Sequence, residues 1–191
     1  MTFLVVPDFV ENARLLSMTH LVKQRIEARQ ILDALTKGTG WKHHPITRSW
    51  AGFETALMYY TNCVILEFIR RGGDNNLPLF DLPPVIMVPW WTKWHRLHQS
   101  HRAMLIRKDP FHYQKQFIVE PEYLPYGYIW PANIRLDQRN DHLSNITAPV
   151  PPELINPVYC PSVIKSGRRQ GQPCNRLVKD GSGFCGTHRP K

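Results

Sequence analysis

The sequence predicts a mainly α-helical protein: a compact helical domain of three principal helices with irregular segments rich in proline and aromatic residues, plus a small C-terminal zinc module. Three long stretches have apolar residues at helical spacing. Proline and aromatic residues concentrate outside these stretches, and three of the four cysteines lie near the C-terminus. We therefore predict a helical domain over residues 1–131, a proline-containing linker over 132–159 and a basic zinc module over 160–191.

The first principal helix is predicted over residues 19–36, after a short extended segment at residues 2–9. Its apolar side chains form one broad arc, whereas Lys23 and Glu27 fall on the opposite face. Gly38 then ends the helix, because glycine readily adopts the conformation that follows a helix C-terminus.

The second helix is predicted to be the longest element of the chain. It begins at Pro45, a favoured first helical residue, and ends at the Arg-Arg-Gly-Gly sequence of residues 70–73. Residues 74–90 form a connection to a third helix, predicted from Thr92 to Arg107. Residues 111–131 are predicted to pack as irregular structure over the helices.

The charge balance favours a polyanionic partner such as nucleic acid, because 24 Lys and Arg outnumber 15 Asp and Glu. Much of this excess lies in residues 160–191. No apolar stretch is long enough to cross a membrane and no signal peptide is evident, so we expect an intracellular protein without a membrane partner. Cys63 lies in an apolar helical pattern and is expected to be a buried, inert thiol, and no disulfides are expected.

Four residues near the C-terminus have the types and spacing of zinc ligands: Cys160, Cys174, Cys185 and His188. Cys185 and His188 are close enough in sequence for one turn to bring both side chains to a single ion. Thiolates and an imidazole suit Zn²⁺ in a tetrahedral site, and four protein ligands leave no position for water. The sequence therefore predicts a structural zinc that supplies much of the folding free energy of the module. The alternative is a reduced tail without metal.

Three motifs resemble the pyrimidine-dimer DNA glycosylases, also called the endonuclease V family of phages. They are HLVKQRIEARQIL at 20–32, GWKHHP at 40–45 and a helix ending in RRGG at 70–73. Residues 100–113 and 124–131 look like an uncharacterised bacterial and viral branch, and the Cys3His tail resembles short tails on proteins of large DNA viruses. The resemblance implies an all-helical fold, DNA as the partner, and a bifunctional glycosylase and AP lyase.

The resemblance also implies roles for particular residues. Met1 is removed, the α-amine of Thr2 attacks the sugar C1′ and forms an imine, and the Glu27 carboxylate stabilises the cationic sugar and assists proton transfer. A terminal amine suits this chemistry because its unperturbed pKa of about 8 leaves neutral amine near pH 7. Arg25 matches an arginine that grips phosphate, and His20 matches a histidine at the helix start.

The spacing of Arg25 and Glu27 departs from the Arg-Glu adjacency of the family. Two positions turn the side chains about 200° apart on a helix, so they need not serve one site. Arg25 projects toward the apolar arc and is expected to contact an anion, either Glu54 or a phosphate. Glu27 is either catalytic or part of a surface ion pair with Lys23.

Further candidates lie outside the first helix. His98 and His101 share a helical face and either contact DNA or pack within the fold, and the tryptophans at 90, 91 and 94 are expected in the core. His44 either caps the second helix or lines a groove. The predicted nucleic-acid contacts are His20, Arg25, Lys42, His44, Arg102, Arg107, Lys108, Arg168 and Arg169.

Two functions compete on this basis. The first is a DNA-repair glycosylase and AP lyase, or a non-catalytic relative that still binds DNA. The alternative is a structural or DNA-packaging protein of a large DNA virus that reuses the fold without catalysis and contacts other virion proteins. The expected location is the cytoplasm or nucleus of the host, or the virion. An RNA-binding or transcription accessory role is a third possibility without specific support.

Overall fold

A computed structural model describes residues 2–124, 127–131, 145–155, 160–167, 170–172, 174, 178 and 187–188. These residues are mostly helical, which confirms the predicted fold class. The helices are α1 (Phe9–Leu15), α2 (Met18–Lys37), α3 (Pro45–Trp50), α4 (Glu54–Arg70), α5 (His95–Lys108), α6 (Pro110–Tyr113) and α7 (Pro152–Ile155). Two 3-10 turns lie at Trp90–Lys93 and Pro121–Tyr123, and two strands are β1 (Val85–Val88) and β2 (Ile146–Pro149).

Helix α2 packs mainly on α4, and together they form the centre of the domain. The side chain of Ser17 caps the start of α2 by accepting a hydrogen bond from the backbone N–H of His20. Gly38 ends the helix in the left-handed conformation, as expected from the sequence. Fully buried side chains such as Leu21 and Ile31 from α2 and Tyr60 from α4 lie in the shared core.

The prediction of one continuous second helix is wrong, because the chain forms two helices in that range. Helix α3 ends at Trp50 and α4 begins at Glu54. Between them Gly52 has a φ of 82°, which interrupts a right-handed helix, and its backbone N–H donates to the Glu54 carboxylate. The apolar spacing continues across the break because both helices bury side chains in the same core, so periodicity alone could not reveal it.

The other helix boundaries also differ from expectation. The third predicted helix begins as the 3-10 turn Trp90–Lys93, and α5 starts only at His95. Helix α1 was not predicted, although Asp8 supplies a clear N-cap by accepting from the backbone N–H of Glu11. Trp91 and Trp94 are buried in the core as predicted, whereas Trp90 is only partly buried against it.

Part of the predicted linker belongs to the helical domain. Strand β2 pairs antiparallel with β1, with Val85 opposite Pro149 and Val88 opposite Ile146. Helix α7 contacts α4, and Leu154 is buried in the main core. The linker prediction is therefore wrong for residues 145–155, while residues 132–144 and 156–159 lie outside the described residues. Each strand has only four residues, too few to give a clear sequence pattern.

Among the helices that the structure describes, none is long and apolar enough to cross a membrane.

Candidate active site and metal centre

The N-terminal segment of residues 2–5 is buried and held by side chains from several helices. The backbone N–H of Phe3 donates to Oε1 of Gln24 at 2.8 Å, and the Phe3 carbonyl accepts from the Tyr60 hydroxyl at 2.9 Å. The N–H of Leu4 donates to Nδ1 of His101 at 2.9 Å. Because buried backbone groups require partners, these bonds fix the path of the segment.

The same segment is fixed on both sides of these contacts. Val5 donates its N–H to Oδ1 of Asn12 at 2.7 Å and accepts from Nε of Arg102 at 2.9 Å. At the other end, Oγ1 of Thr2 accepts from Nε1 of Trp50 at 2.9 Å, and Thr2 is only 2% exposed. The predicted catalytic residue Thr2 is therefore held in one place by the core of the domain. Met1 lies outside the described residues.

A cleft of about 350 Å³ lies beside this segment. Its lining comes mostly from α2 and includes the predicted catalytic residue Glu27. The lining residues are Phe3, Thr19, His20, Lys23, Gln24, Glu27, Lys108, Asp109 and Tyr128. The cleft thus brings together His20, Glu27 and Lys108 from the set of predicted site residues, next to the chain neighbour of Thr2.

Gln24 connects the N-terminal segment to Glu27. Its Oε1 accepts from the Phe3 N–H and lies 2.7 Å from the oxygen of the Tyr60 hydroxyl, whose single proton can serve either this oxygen or the Phe3 carbonyl. Its Nε2 faces away from Phe3 and donates to Oε2 of Glu27 at 3.3 Å. Gln24 is not among the site residues predicted from the sequence. Gln24 follows His20 by four positions and precedes Glu27 by three, and this helical spacing was the signal that could have found it.

The electrostatics of the cleft are shaped by burial. Burial, reinforced by the charge of Lys23, lowers the pKa of His20, whose Nδ1 lies 2.8 Å from the Ser17 hydroxyl. Burial and the nearby Glu27 carboxylate raise the pKa of Tyr128 to about 12. Near neutral pH the imidazole and the phenol are therefore both favoured in their uncharged forms, while Glu27 faces the lysines that line the cleft.

Arg25 does not join Glu27 in this cleft. Its guanidinium lies over the Phe68 ring, 4.6 Å from the ring centroid, and Nη1 donates to Oδ1 of Asn75 at 3.2 Å. Because residues two apart on a helix point in different directions, the predicted separation of Arg25 from Glu27 is confirmed. Of the two anions expected to contact Arg25, the Glu54 carboxylate is not its partner, because Glu54 accepts from the Gly52 N–H and Arg25 donates to Asn75. The contact with a phosphate stays a prediction.

His44 caps α3, as one of the two alternatives predicted. Its Nδ1 accepts from the backbone N–H of Ile46 at 3.1 Å, and its ring lies 5.4 Å from that of Trp130. Trp130 in turn lies 5.2 Å from the ring of Tyr128, which lines the cleft. A row of aromatic rings therefore joins His44 to the cleft, and the predicted DNA contact Lys42 is exposed nearby in sequence.

The candidates on α5 have divided roles. Lys108 lines the cleft and Arg107 is exposed, whereas Arg102 holds the Val5 carbonyl. His98 and His101 are buried. Of the two roles expected for them, burial favours packing within the fold and not contact with DNA. Nε2 of His98 lies 2.9 Å from the carbonyl of Thr92, and burial lowers the pKa of His98 to about 4 and that of His101 to about 3.

Three of the four predicted zinc ligands lie together near the C-terminus. The ligand atoms of Cys160, Cys174 and His188 are all within 4.8 Å of one another, and Sγ of Cys160 lies 3.5 Å from Nδ1 of His188. Tetrahedral zinc with ordinary bond lengths separates its ligand atoms by roughly 3.5–3.8 Å, so this group fits the ion. The fourth predicted ligand, Cys185, and the predicted DNA contacts Arg168 and Arg169 lie outside the described residues.

A tight reversal of the chain brings the two cysteines together. The backbone N–H of Ile164 donates to the Gln172 carbonyl at 2.9 Å, and that of Cys174 donates to the Ser162 carbonyl at 2.8 Å. Gly167 lies within this reversal and has a φ of 84°, a conformation that favours glycine. No disulfide joins the cysteines that the structure describes.

The comparisons with known proteins bear on the first part of the chain. Residues 1–81 match the sequence profile of the pyrimidine dimer DNA glycosylase family. A search of curated proteins and of solved structures found no significant match. The matched range contains Thr2 and Glu27 together with the predicted DNA contacts His20, Arg25, Lys42 and His44. The resemblance of the tail to proteins of large DNA viruses stays a prediction. Over residues 1–81, this chain is thus matched to the pyrimidine dimer DNA glycosylases, as its sequence motifs predicted.

Proposed function

We propose that this protein binds DNA and acts as a DNA glycosylase with AP lyase activity, using the α-amine of Thr2 as its nucleophile once Met1 is removed. The observation that carries the proposal is the hydrogen-bonded segment of residues 2–5, in which Phe3, the chain neighbour of Thr2, lines the cleft that contains Glu27. A nucleophile at a chain terminus needs such a segment, because termini are otherwise poorly ordered.

The proposed reaction begins with attack by the Thr2 amine on the sugar C1′. The C1′–N bond to the base breaks and its electron pair leaves with the base, which takes up a proton. Opening of the sugar ring then gives an imine between C1′ and the Thr2 nitrogen. In the lyase step a base removes a proton from C2′, the C3′–O bond breaks, and the 3′ phosphate leaves with the electron pair.

Glu27 is proposed to act in both stages. Its carboxylate stabilises the positive charge that develops on the sugar as the base departs, and it accepts the C2′ proton in the lyase step. Lys23 and Lys108 line the same cleft. Their charges favour the neutral, nucleophilic form of a nearby amine and attract the phosphates on either side of the damaged nucleotide.

We propose that zinc stabilises the fold of the C-terminal module and that basic residues of the module contact DNA. Cys160, Cys174 and His188 would hold the ion with Cys185 as the fourth ligand, and zinc would supply a closed tetrahedral crosslink. Because the described part of the module contains little apolar core beyond Ile164 and Val178, metal binding would provide much of its stability.

Nicking of ultraviolet-irradiated plasmid DNA tests this function. We expect the purified protein to convert irradiated, but not untreated, supercoiled plasmid to the nicked form. Glu27→Gln is expected to slow nicking by about 10²–10⁴-fold. Glu11→Gln, which changes an exposed carboxylate on α1, is the matched control and should have no effect. Absence of nicking by the unmodified protein would contradict the proposal, as would full activity of the Glu27 variant.

A further inference from the structure

Phe111 exposes an aromatic ring almost completely to solvent. It is 95% exposed, whereas the neighbouring Tyr113 is fully buried. Burying a phenylalanine side chain stabilises a protein, and this chain leaves that gain unused. A single exposed apolar residue is common on protein surfaces, so its significance depends on where it lies and how firmly it is held.

The backbone under Phe111 is firmly anchored. The Asp109 carboxylate caps α6 by accepting from the N–H of His112 at 3.1 Å. The Tyr113 hydroxyl accepts from the N–H of Ser17 at 2.7 Å and lies 3.1 Å from Nδ1 of His20. The residues that follow Phe111 are therefore held by hydrogen bonds, and Tyr113 contacts Ser17 and His20 at the start of α2. The exposed ring of Phe111 thus extends from a backbone that is held in place.

Phe111 also lies close in the chain to residues that line the cleft. Lys108 and Asp109 line the cleft, and Phe111 follows two positions after Asp109. Consecutive Cα atoms are about 3.8 Å apart, which places the Cα of Phe111 within about 8 Å of that of Asp109. The surrounding surface is basic, since Arg107, Lys108 and Lys115 are all exposed.

These features together fit a duplex DNA partner. Glu27 lines a cleft, so a nucleotide of a duplex reaches it only where the duplex is distorted and its base stack is opened. Proteins that open a base step often insert an apolar side chain into the gap, while basic residues hold the adjacent phosphates. We propose that Phe111 inserts into the base stack beside the nucleotide that enters the cleft, an inference that rests on the proposed DNA function.

The test uses a duplex that contains a tetrahydrofuran abasic-site analogue beside 2-aminopurine, whose fluorescence rises when it is unstacked. We expect the full-length protein to raise this fluorescence and Phe111→Ala to reduce the rise by about threefold or more. Phe111→Trp should retain it. Ile118→Ala is the matched control, because Ile118 is 92% exposed on the same segment but follows the cleft-lining Asp109 by nine positions. Neither alanine variant should lower the thermal unfolding temperature.

Several outcomes would overturn the insertion. They are an unchanged signal in Phe111→Ala, an equal loss in Ile118→Ala, or no fluorescence change with the unmodified protein. The affinity of Phe111→Ala for DNA is a further test. If this variant loses as much affinity for single-stranded DNA carrying the same analogue as for the duplex, insertion is overturned, because single strands have no duplex stack to enter. The proposed catalysis is judged separately by plasmid nicking. If the fluorescence rise depends on Phe111 but the protein does not nick DNA, the result supports insertion and contradicts the proposed glycosylase activity.

Discussion

The side-chain Oε1 of Gln24 accepts a hydrogen bond from the backbone N–H of Phe3 at 2.8 Å, so that a buried residue of α2 sets the position of the N-terminal segment. Because Nε2 of the same amide donates to Glu27, the two ends of the proposed catalytic machinery are linked through one side chain. This link gives Gln24 a positioning role, which differs from direct contact with substrate.

Replacing Gln24 with leucine is therefore expected to affect both stability and activity. The Phe3 N–H would lose its acceptor, at a cost of about 1–3 kcal/mol in the free energy of unfolding. We expect kcat for abasic-site cleavage to fall by about tenfold or more, with KM changed much less, because misplacement of reacting groups acts mainly on the chemical step. Gln30→Leu, on the exposed part of α2, is the control, and a Gln24→Leu variant with normal kcat would contradict the positioning role.

Because His98 and His101 of α5 are buried, we expect the free energy of unfolding to decrease at acidic pH. Burial lowers the pKa of His98 to about 4 and of His101 to about 3, whereas both are near 6.5 in the unfolded chain. The unfolded state therefore binds more protons below about pH 6.5, and stability falls as pH decreases from there toward the folded values. At pH 5 each histidine is expected to cost roughly 2 kcal/mol relative to pH 7.5.

Urea unfolding at pH 7.5, 6 and 5 measures this dependence. His101→Gln is expected to weaken it, because an amide oxygen can accept from Leu4 without titrating. His112→Gln changes an exposed histidine and should leave the dependence intact. A free energy of unfolding that stays constant from pH 7.5 to 5 would show that the two buried imidazoles do not control acid stability.

The metal centre predicts one zinc ion per chain. Purified protein analysed by atomic emission should contain zinc, and Cys174→Ser should lose most of it because a thiolate ligand is removed. Cys63→Ala is the control, since Cys63 is buried on α4 within the main core. Equal zinc content in the two variants, or none in the unmodified protein, would contradict a zinc site.

The ion pairs at the end of α4 allow the stability contributed by a buried carboxylate to be compared with that of an exposed one. Glu67 is 5% exposed and accepts from Arg70 and Arg71, each at 2.6 Å, and Arg71 also donates to the Leu16 carbonyl at 2.7 Å. Glu67→Ala is expected to destabilise the protein by about 3 kcal/mol, because it leaves the partly buried Arg71 without its carboxylate. Asp33→Ala removes the exposed pair with Lys37 and should cost less than about 1 kcal/mol in thermal or urea unfolding.

The sequence predicted those parts of the protein that depend on local spacing. Helix α2, with Glu27 facing away from Arg25, follows from a periodicity of a few residues. The hydrogen bonds that hold residues 2–5 could not be predicted in this way. The partner of Leu4 is His101, 97 positions away, and that of Phe3 is Gln24, 21 positions away. Such pairings depend on how whole helices pack.

The proposed virion role stays a prediction that none of the described contacts specifically favours. Mass spectrometry of purified particles would address it, and absence of the protein from virions would end that hypothesis. The DNA-repair proposal has more direct support, from the family match over residues 1–81 and from the cleft beside the N-terminal segment.

The central claim is that the α-amine of Thr2 forms the covalent bond with the sugar. Reductive trapping with borohydride on DNA that contains an abasic site, followed by mass analysis of the proteolytic peptides, tests this claim most directly. The cleft also contains Lys23 and Lys108, whose amines could form an imine instead. We predict an adduct on an N-terminal peptide that begins at Thr2. An adduct on either lysine, a retained Met1 or the absence of any trapped product would contradict the account.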